Sequence, residues 1–196
     1  MKLIISTTSP YSRKCRILVR EFGLDGDVEI VEAHPFEDDP DLLAANPLGR
    51  VPCLQLDDGE ALTESALIAD YLHDQAGNPL PQDWDDRRLE ALGSGLIDLT
   101  VARRVEMVRD EDIQSDYWIA RRERGIMRAV DELETLTGQV DSPLALGPLT
   151  MAVALGYLDF RYPESGWRKG RPDLERLLDF WAGRESFAAT QPPAGS

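Results

Sequence analysis

Three short segments of the chain carry side chains whose types and spacing could bind an anion or an extended peptide. The first is Ser9-Pro10-Tyr11-Ser12. Serine followed by proline marks a helix start, with serine as the cap and proline at the first helical position. A helix N-terminus presents unpaired backbone N–H groups and a partial positive charge, which favours an anion. A serine there could hydrogen-bond a ligand thiolate. Lowering a thiol pKa from about 8.5 to about 6.5 takes about 2.7 kcal/mol of preference for the anion. One charge-assisted hydrogen bond supplies about 1.5–3 kcal/mol, and the helix terminus adds about 0.3–1 kcal/mol. Such a shift requires neither a metal nor a separate base. On this segment alone, a plain N-cap is the simpler reading of Ser9.

The second segment is Val51-Pro52. Proline at the head of a strand is accommodated by a cis peptide bond or a special strand end. Val51 can offer its backbone N–H and C=O to an extended peptide, as an added strand would. Pro52 serves equally to shape the turn after Gly49. The third segment is Thr63-Glu64-Ser65, at the start of a helix. Thr63 or Ser65 can cap that helix, and Glu64 complements its dipole. The same residues also suit a ligand, with Glu64 holding an ammonium while Ser65 and its N–H take a carboxylate. Local grounds do not choose between these readings.

Elements must hold these segments in place. Residues 3–5 are a short apolar run, as in a buried strand. After Pro10, the spacing of Cys15, Leu18, Val19 and Phe22 predicts a helix with one buried face, stopped at Gly23. A second strand over 28–31 is expected parallel to the first, because a helix connects them. An acidic loop over 34–41 and a short helix over 42–45 lead to turn chemistry in Asn46-Pro47-Leu48-Gly49. A third strand over 51–56 turns at Asp57-Asp58-Gly59 into an antiparallel strand over 60–63. Leu67, Ile68, Tyr71 and Leu72 mark a helix ending near Gln75. The order is βαβαββα.

Beyond a Gly- and Pro-rich linker the pattern becomes purely helical. Leu89, Leu92, Leu96 and Leu99 predict a long helix over 83–109. Trp118, Ile119, Ile126, Val130 and Leu133 mark the buried stripe of another over 113–137. Shorter helices are expected over 149–160 and 172–182, and a coil tail over 188–196. The fold class is therefore α/β plus all-α. Residues 1–76 form an α/β domain, 77–84 a linker and 85–196 an all-helical domain.

The chain of 196 residues carries 21 Lys and Arg against 36 Asp and Glu, a net charge of −15. That balance argues against a nucleic-acid binder, which must neutralise phosphates, and against docking on an anionic membrane. A hydrophobic content of 42% excludes wholesale disorder. The two cysteines, Cys15 and Cys53, are too few for a disulfide scaffold and suit a reducing compartment. The apolar stretch over 144–158 contains Gly147, Pro148 and Gly156 and is too short to span a membrane. No signal sequence is evident, so a soluble cytoplasmic protein is expected. His34 is a loop histidine with no partner spacing for a metal, His73 near a helix end makes a favourable dipole contact, and Glu37-Asp38-Asp39 is a solvated loop.

Taken together, the motifs resemble one family. Asn46-Pro47-Leu48-Gly49-Arg50-Val51-Pro52 and the segment Leu62-Thr63-Glu64-Ser65 through Leu72 resemble the glutathione-site segments of cytosolic glutathione transferases. The βαβαββα order is similar to that family's thioredoxin-like domain. Ser9-Pro10-Tyr11-Ser12 resembles the thioredoxin-type Cys-Pro-x-Cys motif with serine at both cysteine positions. Leu155-Gly156-Tyr157-Leu158-Asp159-Phe160-Arg161 is similar to bacterial members. The resemblance covers nearly the whole chain.

The resemblance implies roles for particular residues. Val51, beside a cis Pro52, would pair with the cysteinyl backbone of glutathione. Glu64 and Ser65 would hold the γ-glutamyl group, and Arg50 would contact the tripeptide. Ser9, or alternatively Ser12, would stabilise the thiolate. Tyr11, Arg103 and Met107 would contribute to a pocket for a small hydrophobic electrophile. The implied enzyme is a detoxifying glutathione transferase and a homodimer, using glutathione as co-substrate and no metal. A non-catalytic glutathione- or protein-binding member is a rival. So is a glutathione-dependent isomerase, dehalogenase or peroxidase, which would differ only in the second substrate. The chain departs from the family in two ways. No cysteine stands at Ser9 or Ser12, which argues against disulfide chemistry there. In the helical half Thr150 matches a capping motif, but Val153 replaces its aspartate.

Overall fold

The computed structural model of the chain describes residues 1–78, 83–138, 142 and 144–193. The centre of the expected linker, 79–82, and the last residues of the expected tail, 194–196, lie outside the described residues. The chain divides into two compact units, Met1–Gln82 with Arg184–Ser196, and Asp83–Gly183.

The first unit is built on β1 (Lys2–Ile5), α1 (Pro10–Glu21), β2 (Glu29–Glu32), α2 (Pro40–Ala45), β3 (Cys53–Gln55), β4 (Ala61–Thr63) and α3 (Ser65–Gln75). The βαβαββα order expected from the sequence is present. The sheet order is β2-β1-β3-β4. β1 and β2 are parallel, and the other two pairings are antiparallel. Leu3, Ile4 and Ile5 are all buried, so β1 is covered on both faces, and a continuous apolar run suits it better than alternation. Ile4 packs with Leu42, Val51 and Cys53. β2 is an edge strand with mostly exposed side chains.

α1 begins where the Ser9-Pro10 pair predicts and buries Cys15, Leu18 and Val19. It also buries Arg13 and Lys14, which the apolar pattern could not show. α3 packs on α1, and its His73 is buried near the helix C-terminus. The His73 Nδ1 donates to Asn78 O at 3.1 Å, and the ring meets Phe22 edge-on.

The second unit contains α4 (Trp84–Met107), α5 (Asp116–Thr137), α6 (Leu146–Arg161) and α7 (Pro172–Ala182), with 3₁₀ turns at Glu111–Ile113 and Pro163–Ser165. α6 is its central helix, with nearly every residue from Leu146 to Leu158 buried. α4 closes on α6 at two glycines. A Cβ on Gly93 would lie 3.1 Å from Thr150, and one on Gly147 would lie 2.7 Å from both Asp86 O and Leu89 Cβ. On α5, Ile126, Val130 and Leu133 are buried as expected. Trp118 is not: it is 46% exposed and lies edge-on to Tyr117. It falls in the first turn, ahead of the buried stripe.

After α7 the chain supplies α8 (Glu185–Ala188) and the residues following it to the first unit. Phe187 and Thr190 are buried there, although composition suggested a coil tail.

Candidate glutathione site

Strand register brings the three sequence motifs to one end of the sheet. Ile4 of β1 faces Cys53, the first residue of β3, and Cys53 faces Thr63, the last residue of β4. β1 and β4 run towards that end and β3 leaves it. The loop after β1, the residues before β3 and the turn after β4 therefore share one edge. Those positions carry Ser9, Arg50-Val51-Pro52 and Glu64-Ser65.

Ser9 is the N-cap of α1, and its Oγ accepts the Ser12 N–H at 3.3 Å. The hydroxyl hydrogen itself has no acceptor among the described residues. One serine can thus cap a helix through a lone pair and still donate to an anion. Ser12 is fully buried, and its Oγ accepts the Ser6 N–H at 3.4 Å. Tyr11 is half-buried at the second position of α1.

The loop before β3 is braced by a buried asparagine. Asn46 Oδ1 accepts the Leu48 N–H at 3.1 Å, and Nδ2 donates to Arg50 O at 2.8 Å. Gly49 takes φ 61°, a left-handed conformation that glycine adopts at little cost. The Val51–Pro52 bond is cis. The sequence marks Asn46 by its turn chemistry and by its place in the motif, but not by this brace across four residues.

Glu64 has φ 71° and ψ 123°. A residue with a Cβ held there stores about 1–3 kcal/mol, and such positions cluster at ligand sites. Its carboxylate lies 3.4 Å from Arg50 Nη1, with both side chains largely exposed. Water screens that pair, so it holds the carboxylate only loosely. α3 has no side-chain cap, which leaves its first N–H groups and the nearby Ser65 hydroxyl able to receive a carboxylate.

Burial pushes the Cys15 thiol up to about 12 and raises that of Cys53 as well. Neither supplies a thiolate near neutral pH. Arg103 and Met107 lie on α4, in the second unit. Arg103 stacks 3.9 Å above the Tyr162 ring. Among the described residues no cluster of His, Cys, Asp or Glu could hold a metal ion.

The family model for the glutathione S-transferase N-terminal domain matches residues 8–75. An Escherichia coli K12 protein, the uncharacterized GST-like protein YibF, is 36% identical over 98% of this chain and 99% of that one. The chain belongs to the glutathione transferase family. Its first unit is the family's thioredoxin-like half and its second the helical half. A glutathione transferase family member from Pseudomonas fluorescens Pf-5, solved with bound glutathione, is similar at a TM-score of 0.93 and 35% identity. The match covers 98% of this chain and 99% of that one. A glutathione S-transferase from Methylobacterium radiotolerans JCM 2831, in complex with glutathione sulfonate, gives a TM-score of 0.89 at 36% identity. It covers all of this chain and 96% of the other. Glutathione is thus the ligand found in solved transferase relatives of similar length.

Proposed function

We propose that the protein is a glutathione transferase that conjugates the glutathione thiolate to a small hydrophobic electrophile. The observation that carries this reading is the shared end of the sheet, where Ser9, Val51 and Glu64-Ser65 come together from three segments of sequence. In it, the cysteinyl backbone pairs with Val51, the γ-glutamyl ammonium meets Glu64, and its carboxylate meets Ser65 and the uncapped start of α3. Arg50 contacts the tripeptide from the loop. Ser9, the more exposed of the two serines, donates its hydroxyl hydrogen to the thiolate, with the α1 N-terminus adding its partial charge. Tyr11, Arg103 and Met107 are the residues to vary for the second substrate. A cytoplasmic homodimer engaged in detoxification completes the proposal.

Calorimetric titration of reduced glutathione into wild type, Glu64→Ala and Ser9→Ala tests it, together with turnover against electrophile, peroxide and isomerisation substrates. Glu64→Ala is expected to weaken binding about tenfold or more, equivalent to about 1.4 kcal/mol. Ser9→Ala is expected to retain binding and to lose about 10²–10³ in turnover, as when one donor to a developing anion is removed. Absence of binding by the wild type would make the motifs inherited architecture and sink the proposal.

A further inference from the structure

Arg13 is an unusual side chain for the helix that carries Ser9. It is 4% exposed. Its Nη2 donates to Phe187 O at 3.0 Å, and its Cζ lies 3.8 Å above the Phe187 ring. Its Nε is buried without a partner, and no carboxylate pairs with the guanidinium among the described residues. Burial lowers its pKa to about 10, so it remains a cation at neutral pH. A buried charge with no counter-charge beside it is costly and uncommon.

The segment after α7 holds this cation in place. Arg184 and Ser186 both bond the Glu21 carboxylate at the far end of α1. Arg16 reaches Thr190 O at 3.4 Å. Phe187 lies between these anchors in sequence, and both it and Thr190 are buried. The Arg13 N–H donates to Ser9 O at 2.9 Å, so the two residues are one helical turn apart and share a face. Helical side chains generally lean towards the helix N-terminus, the end at which Ser9 stands.

We propose that Arg13, clamped by Phe187 of the C-terminal segment, is a positioning residue whose buried charge stabilises the thiolate at Ser9. This rests on the assignment of Ser9 given above. One turn of helix and a side chain place the guanidinium roughly 10 Å from an anion at the α1 N-terminus. At an effective dielectric near 20, that is worth about one pKa unit on the bound thiol. Other charges surround α1. Arg16 and Lys14 share the helix, Glu32 of β2 faces Arg16, α3 brings Asp70, His73 and Asp74, and α8 brings Glu185 beside the paired Arg184. None of them is bonded to Arg13.

The experiment is a pH titration of the thiolate absorbance of bound glutathione in wild type, Ser9→Ala, Arg13→Met, Arg13→Lys, Phe187→Ala and Phe187→Trp. The affinity of each for S-methylglutathione, which has no thiol to ionise, is measured alongside. Arg13→Met should raise the bound thiol's pKa by about one unit, and Phe187→Ala should raise it in the same direction. Arg13→Lys and Phe187→Trp should restore most of the depression. Affinity for S-methylglutathione should change by less than about twofold, or about 0.4 kcal/mol. If Ser9→Ala raises the thiol pKa while Arg13→Met leaves it unchanged, the role of Arg13 is overturned and that of Ser9 stands. If Arg13→Met weakens S-methylglutathione binding as much as it shifts the thiol, Arg13 is merely structural and the proposal fails. If Ser9→Ala leaves the thiol unmoved, the assignment of Ser9 falls and takes this inference with it.

Discussion

Gly147 shows how a single position can carry a helix crossing. Its N–H donates to Asp86 Oδ1 at 2.8 Å, and a Cβ there would sit 2.7 Å from Asp86 O and 2.8 Å from Asp86 Oδ1. Backbone atoms cannot rotate away as a long side chain can. Gly147→Ala should therefore push α4 from α6 and destabilise the protein by about 1–3 kcal/mol, measured as the shift in a urea unfolding midpoint. Glu64 is the counterpart at the ligand site, a non-glycine residue held at positive φ. The sequence singled out both Glu64 and Ser9 by type and motif. It did not single out Arg13, because a charged residue inside a helical pattern is ordinarily solvated. Its burial depends on Phe187, 174 positions away.

At the scale of elements, two helix starts in the second unit, those of α6 and α7, are completed by carboxylates from other helices. α6 has no side-chain cap of its own. Asp86 of α4 accepts the Gly147 N–H instead, and burial raises the Asp86 pKa. Thr150, which matched a capping motif in the sequence, lies inside α6, where its hydroxyl bonds Leu146 O. α7 likewise lacks its own cap. Glu134 of α5 accepts the Asp173 and Leu174 N–H groups at 3.1 and 2.9 Å. Glu134→Ala should cost about 1 kcal/mol, the usual loss on removing a cap, and should first increase amide exchange at the start of α7. Helix existence was legible from apolar spacing. The caps were not, because their oxygens come from 39 to 61 residues away.

For the molecule as a whole, the chain returns after the helical unit to close the first one, with Glu21 as the catch. Arg184 bonding, with Ser186 and the nearby Arg184 charge, holds the Glu21 carboxyl below its ordinary 4.5. A lowered folded-state pKa gives stability that is present above the unfolded value and lost as pH falls through the folded one. The catch should therefore hold at neutral pH and release below about 4.5. Glu21→Gln should cost about 1 kcal/mol or less at pH 7, given solvent screening of the pair. The difference from wild type should vanish in acid, read by thermal unfolding and by proteolysis after Arg184. Asp86 acts in the opposite sense. Its raised pKa makes its ionised form a cost as pH rises above the usual carboxylate range.

Several features of the protein were decided by sequence alone. They are the βαβαββα order, the change to helices, and the Ser9, Val51-Pro52 and Glu64-Ser65 motifs, which follow from periodicity, turn chemistry and residue type within short windows, and the family, which follows from the resemblance of those motifs to known ones. Tertiary structure alone decided which ends of the strands meet, the register that gathers those motifs, the exposure of Trp118 and the return of Phe187 to α1. Each of these depends on hydrogen bonding or burial between residues far apart in sequence, where local propensity carries no information.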